Sequence, residues 1–191
     1  MTDKFTEEFF ESIQNLLDAN LIIKVAETED EIGCVLRVHI YLEKFLTFFL
    51  EEHLVGDVGV LIRNINDFKP KLAFCTAFGM PTYIGMVLHQ INGIRNKLAH
   101  GKLEALDKGD VQQLGRQVDA MLLAMGQRPL SGSYIEFSSI YPGERIQFGQ
   151  KNLRVDFMMC SLMLLKQVTS WLMTEVYQSR LSRAGVAEGA K

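Results

Sequence analysis

The sequence predicts an all-α protein, an antiparallel helical bundle with a small β-hairpin let into it. Three observations carry that expectation. Apolar residues recur three and four positions apart through most of the chain, the spacing that gathers them on one face of a helix. Glycine, proline and acidic residues punctuate these stretches at intervals suited to helices. One interval, from Ser131 to about Phe157, departs from the pattern toward aromatic and β-branched residues around a Pro-Gly turn.

Taken in order, Phe5, Phe9, Ile13, Leu16 and Leu17 alternate with Glu7, Glu8, Glu11 and Gln14, which predicts a first amphipathic helix over roughly the first 18 residues. Thr28-Glu29-Asp30-Glu31 has the form of a capping box, in which the Thr28 hydroxyl accepts from the Glu31 amide and the Glu31 side chain returns to Thr28. From there Val35, Val38, Leu42, Phe45, Phe49 and Leu54 form one stripe to about His53, with Gly56 as a stop. A looser stretch from Asp57 to Asp67 precedes a shorter helix over Phe68 to Phe78. Pro81 then suits the first position of a helix carrying Ile84, Val87, Leu88, Ile91, Ile94 and Leu98 and ending at Gly101. Asp107 or Asp110 caps the next, with Val111, Leu114, Val118, Met121, Leu122 and Met125 inward. Tyr134 to Ile140 and Arg145 to Phe148 read as the two arms of the hairpin, joined through Tyr141-Pro142-Gly143-Glu144. Helical spacing resumes through Met158, Leu162, Leu165, Val168, Leu172 and Val176 to about Leu181. One domain over residues 1–183, with the hairpin at 131–150 and a flexible tail at 184–191, is the resulting organisation.

Composition narrows the function classes. The 191 residues are 48% apolar and 23% charged, the balance of a globular chain with a core. Twenty Lys and Arg against 23 Asp and Glu give a net charge of −3, so a polyanion would need a local basic patch. Lys69, Lys71, Arg95, Lys97 and Lys102 are the candidates for such a strip, against the default of a solvated charged surface. Cys34, Cys75 and Cys160 are odd in number and form no Cys-x-x-Cys pair, which fits a reducing cytoplasm and signals neither a disulfide framework nor a zinc knuckle. The first residues carry acids early, without a basic stretch ahead of an apolar one, so no secretory signal is expected. Apolar runs fall far short of the ~20 residues of a membrane span, so no membrane partner is expected. His53 and His89 stand alone, and no acidic or Cys ligand lies at metal spacing from them, so no metal is expected. Without a Gly-x-Gly-x-x-Gly, Walker or Gly-x-Ser-x-Gly motif, neither a nucleotide cofactor nor a serine hydrolase is indicated.

The segment that holds candidate chemistry is Asn92-Gly93-Ile94-Arg95-Asn96-Lys97-Leu98-Ala99-His100-Gly101. Arg95 and His100, five apart, are about 140° apart round a helix, whereas Asn96 and His100 share a face. His100 falls in the last turn, where unpaired carbonyls favour a cation. An Arg for phosphate, a His to exchange a proton and an Asn to orient it are sufficient parts for cleaving RNA without metal. Holding a helix end or a dimer together is the alternative use of the same residues. On the preceding long helix His39 and Glu43 share a face, and Glu43 is a secondary candidate, able to pair with Arg95, with an exposed helix pair as the plainer reading. Gly85 and Gly93 each weaken a helix by ~1 kcal/mol relative to Ala, which suggests close packing on that side, by a partner helix or an intrachain neighbour.

Arg95-Asn96-Lys97-Leu98-Ala99-His100 resembles the Arg-x4-His signature of the HEPN superfamily (higher eukaryotes and prokaryotes nucleotide-binding). A wider stretch looks like the mannitol-operon repressor family within it. This resemblance runs from Arg37 through Leu42-Glu43-Lys44-Phe45-Leu46 and Phe68 to Gly79 to Ile91–His100, about a third of the chain. It implies a helical bundle that forms a homodimer, in many members with the Arg-x4-His helices of two subunits meeting at one composite site. In active, metal-independent ribonucleases of toxin or defence type, the resemblance makes Arg95 the phosphate clamp, His100 the general base or acid and Asn96 its orienting residue. The mannitol-repressor branch implies instead transcriptional regulation. Two functions therefore stand: a regulatory or interaction protein, and an endoribonuclease with RNA as partner. The longer resemblance places the regulator first.

Overall fold

The computed structural model describes residues 30–54, 56–62, 65–101, 104–136 and 141–189. The expected first helix, Thr28, Lys102 and the Phe137 to Ile140 part of the expected hairpin lie outside the described residues. Six α-helices are found among the described residues: α1 (Glu31–His53), α2 (Asp57–Leu61), α3 (Phe68–Ala77), α4 (Thr82–Ala99), α5 (Lys108–Ala124) and α6 (Leu153–Gly189). The all-α expectation is met.

The stripe read for α1 is its buried face: Val35, Val38, Leu42 and Phe49 have no solvent exposure, and Phe45 almost none. Its start differs from the expected capping box. Helix α1 begins at Glu31, and the Asp30 carboxylate caps it by accepting from the amides of Ile32 (3.3 Å) and Gly33 (2.6 Å). A carboxylate satisfies two first-turn donors and faces the positive end of the helix dipole, which a hydroxyl does with a partial charge only. The Glu31 carboxylate accepts from the amide of Leu106 at 2.8 Å and ties the start of α1 to the segment ahead of α5.

Helix α1 packs against α3, α4 and α6, while α4 packs against α5 and α5 against α6, so α1, α4, α5 and α6 form a ring around a shared core. The connection into α4 is tight: Gly79 has φ +110°, and the Met80 amide returns to the Cys75 carbonyl at 2.9 Å. Pro81 is the N-cap of α4, not its first helical residue as expected. Its extended ψ of 134° aims its carbonyl into the helix, where it accepts from the amides of Ile84 and Gly85. At the other end Gly101 takes the left-handed conformation that its place in the sequence predicts (φ +65°). Asp107, one of the two candidates, caps α5 by accepting from the Asp110 amide at 3.0 Å.

Of the expected hairpin only a part is seen, because Phe137 to Ile140 lie outside the described residues. Between α5 and α6 the described residues contain no strand. A 3-10 turn, Leu130–Gly132, is followed by one isolated antiparallel bridge, Ile135 with Ile146, whose two N–H···O bonds are each 2.9 Å. The Tyr141-Pro142-Gly143-Glu144 turn is present, with the Glu144 amide on the Tyr141 carbonyl at 3.2 Å. Side chains also hold this excursion. Ile146 is buried, and the Phe148 ring lies over Gly115 of α5, where an added Cβ would stand 2.7 Å from it. Helix α6 also outruns its expected end near Leu181: it continues to Gly189, through residues expected to be a flexible tail. No proline interrupts that stretch, and its alanines favour a helix.

Cys34, Cys75 and Cys160 are free and buried. Burial pushes the thiols of Cys34 and Cys75 up to about 12 and that of Cys160 upward as well, so all three are inert. Among the described residues no helix is long and apolar enough to cross a membrane.

Candidate functional site

At about 100° per residue, Ile84, Leu88, Ile91 and Arg95 fall on one side of α4, and Met86, His89, Gly93, Lys97 and His100 on the other. Burial follows this division. Ile84, Leu88 and Ile91 have no exposure, whereas Met86, His89, Lys97 and His100 are exposed. The two ends of the Arg-x4-His segment therefore belong to different faces.

Arg95 is partly buried. Its Nη1 donates to Oδ1 of Asn96 at 3.0 Å, and its Nε is buried without a hydrogen-bond partner. An unpaired buried donor is costly, about 1–3 kcal/mol, and more so on a charged group. Asn96 thus has its side-chain oxygen engaged by Arg95. His100 is the C-cap of α4, exposed, and its backbone amide donates to the Asn96 carbonyl at 3.1 Å. Glu43 pairs with Lys71 of α3, whose Nζ donates to Oε1 at 2.9 Å.

Two residues that the sequence reading named without pairing them stand at the centre of this region. His39 of α1 and Asn92 of α4 are 5% and 7% exposed, and Nε2 of His39 lies 3.0 Å from Oδ1 of Asn92. With the amide oxygen accepting, Nε2 carries the hydrogen, and Nδ1 is the nitrogen left to take a proton. The His39 ring packs on Phe68 at the start of α3, with centroids 4.5 Å apart. One histidine thus joins three helices. Burial holds its pKa below the usual range; the Asn92 bond opposes that shift, Arg95 reinforces it and Glu43 opposes it. The signal in the sequence was an asparagine set between Ile91 and Ile94 and a histidine adjoining Val38, both inside apolar stripes.

The other candidates disperse. His53 sits at the core edge, bonded through Nδ1 to the Phe49 carbonyl at 2.8 Å and packed between Phe49 and Phe78. Of the candidate basic strip, Lys71 is neutralised by Glu43 and Lys97 by Asp110 (2.6 Å), while Arg95 turns inward. Among the described residues no group of three or more His, Cys, Asp or Glu is placed to hold a metal ion. Thr76 Oγ1 lies 3.4 Å from where a Cβ on Gly85 would stand, so Gly85 marks ordinary packing of α3 on α4. Gly93 differs, with nothing within 4 Å of such a Cβ.

The segment as folded can join helices on one face and present a small, polar surface on the other. Comparison of the chain with protein-family models, with curated proteins and with solved structures finds no match.

Proposed function

We propose that the protein is a regulatory or interaction module, of the kind the mannitol-repressor resemblance implies, that works in the cytoplasm as a homodimer through the open face of α4. The observation that carries this reading is the division of α4 into two faces. Arg95 is directed to Asn96 and the helix junction, while His100 and the unfilled notch at Gly93 lie outward. A helix that gives up ~1 kcal/mol of propensity at a partly buried glycine, with nothing within 4 Å of where a Cβ would stand, suits the close approach of a second helix. The three free, buried thiols fit a reducing compartment.

A metal-independent endoribonuclease would need Arg95 and His100 on one phosphodiester, and their placement on different faces of one helix does not favour that within a single copy.

The test is the oligomeric state. Light scattering at micromolar concentration is expected to give the mass of a dimer, and Gly93→Trp to shift it to a monomer with unchanged helicity, since the indole enters open space in the single chain. A monomeric wild type would end this reading.

A further inference from the structure

Helices α5 and α6 begin side by side. The excursion between them carries the chain back along α5, with Phe148 laid on Gly115, and Asn152 then caps α6 by accepting from the Val155 amide at 2.9 Å. Between the two starts is a pocket of about 440 Å³. From α5 it is lined by Lys108, Val111 and Gln112, which share a face at spacings of three and four, and from α6 by Asn152, Leu153 and Asp156. Phe148 and Gly149 close it from the excursion. The pocket shares no residue with the outer face of α4.

Its charge changes sign from floor to mouth. Asp156, at the floor, is 7% exposed, and its Oδ1 accepts from the Gly149 amide at 2.7 Å. Burial holds its carboxyl above the usual range, and no cation among the described residues pairs with it. A buried carboxylate is costly until a cation meets it, so the floor favours an ammonium group. Val111, which is buried, and Leu153 and Phe148, which are partly so, supply the apolar part of the wall. At the mouth stand the exposed Lys108 and Lys151. Lys151 is held by Glu144 and by the Tyr141 ring, whose centroid is 4.9 Å from its Nζ, while Lys108 has no carboxylate partner among the described residues. Both helices start here as well, and the positive ends of their dipoles favour an anionic group.

We propose that this pocket binds a free α-amino acid with an apolar side chain, its ammonium on Asp156, its side chain against Phe148, Val111 and Leu153, and its carboxylate toward Lys108. A simple cation would leave Lys108 unanswered, and a simple anion would face the Asp156 carboxylate. A zwitterion meets both charges. The volume falls within the ~300–1,000 Å³ of small-molecule sites.

Calorimetric titration of the full chain with L-leucine and with L-phenylalanine tests this. Saturable binding of at least one at millimolar concentration is expected, and binding of neither would overturn the proposal. Asp156→Asn keeps an acceptor for the Gly149 amide and removes the charge, so it should weaken that binding ~10-fold or more. The N-acetyl derivative of the same amino acid, which lacks the ammonium, should bind wild type and Asp156→Asn equally weakly, a contrast that loosening of the Gly149 loop would not produce. Lys108→Gln lies at the exposed mouth and should weaken the amino acid ~2- to 5-fold while leaving its methyl ester unchanged. Undiminished binding by Asp156→Asn would overturn the proposal. So would an equal loss for amino acid and ester in Lys108→Gln, which decides the matter if circular dichroism shows that Asp156→Asn does not fold.

Discussion

The two faces of α4 are built from one stretch of eighteen residues and solve opposite problems. The inner face, Ile84, Leu88 and Ile91, is fully buried and is flanked by a buried polar bond from Asn92 to His39 of α1. The outer face, Met86, His89, Gly93, Lys97 and His100, is exposed except at the partly buried Gly93, and it touches α5 through the ion pair of Lys97 with Asp110. The difference shows why a six-residue signature does not define a site. Five positions carry a residue about 140° round the helix, so the arginine of the signature serves the interior and the histidine serves the surface.

The largest expected effect separates the faces by stability. Ile91→Ala should cost ~2–5 kcal/mol through lost burial and the cavity left behind, whereas Met86→Ala should stay within about 0.5 kcal/mol. Denaturant midpoints compare the two directly, and equal losses would mean that α4 is covered on both sides within a single chain.

Next comes the polar bond. Asn92→Ala should cost ~1–3 kcal/mol, because the His39 N–H is left buried without an acceptor. Replacing both residues, as His39→Leu with Asn92→Leu, should recover most of that loss. A double variant no better than the single one would show that the bond itself, and not the orphaned donor, holds α1 to α4.

Acidification sharpens the same comparison. The folded pKa of His39 lies below its unfolded value near 6.5, with burial the main cause and the Arg95 charge acting the same way. The unfolded chain therefore binds the proton more readily. The stability this histidine permits is fully present above about pH 6.5 and is lost as pH falls from there toward the folded pKa. Asp156 is a described carboxylate with a resolved shift, and it acts in the opposite sense to His39. Burial raises it, although the Gly149 amide opposes that shift, so its protonation on acidification favours the fold. His39→Gln should lose less stability than wild type between pH 7 and 5, and parallel curves would remove His39 from the acid response.

Most of the helical architecture was legible because apolar periodicity, left-handed glycines and acidic caps act locally. The stripe from Val35 to Phe49 and the stop at Gly101 follow from spacing and from backbone freedom alone. The start of α1 was less legible: Thr28 lies outside the described residues, and the cap that is seen is the Asp30 carboxylate on the amides of Ile32 and Gly33, a choice among adjacent acidic residues that the pattern alone does not make. The hairpin was legible in part, as its turn and one bridge, with Phe137 to Ile140 outside the described residues. Alternation predicts which side chains can face inward, but here a single bridge at Ile135 and Ile146, together with the Phe148 ring on Gly115, does the holding. In the site, Arg95 and His100 were legible as residues and as an angle. The engagement of Arg95 with Asn96, of Glu43 with Lys71 and of His39 with Asn92 depends on how α1, α3 and α4 meet, which no local pattern encodes.

The central claim is that the Arg95 and His100 faces serve assembly and not chemistry, and incubation with labelled RNA in EDTA tests it most directly. Wild type, His100→Ala and Arg95→Lys are expected to show the same negligible cleavage. Metal-independent cleavage by wild type, leaving 2′,3′-cyclic phosphate ends and falling ~10²- to 10⁴-fold in His100→Ala, would contradict the account and establish the histidine as a proton-transfer group.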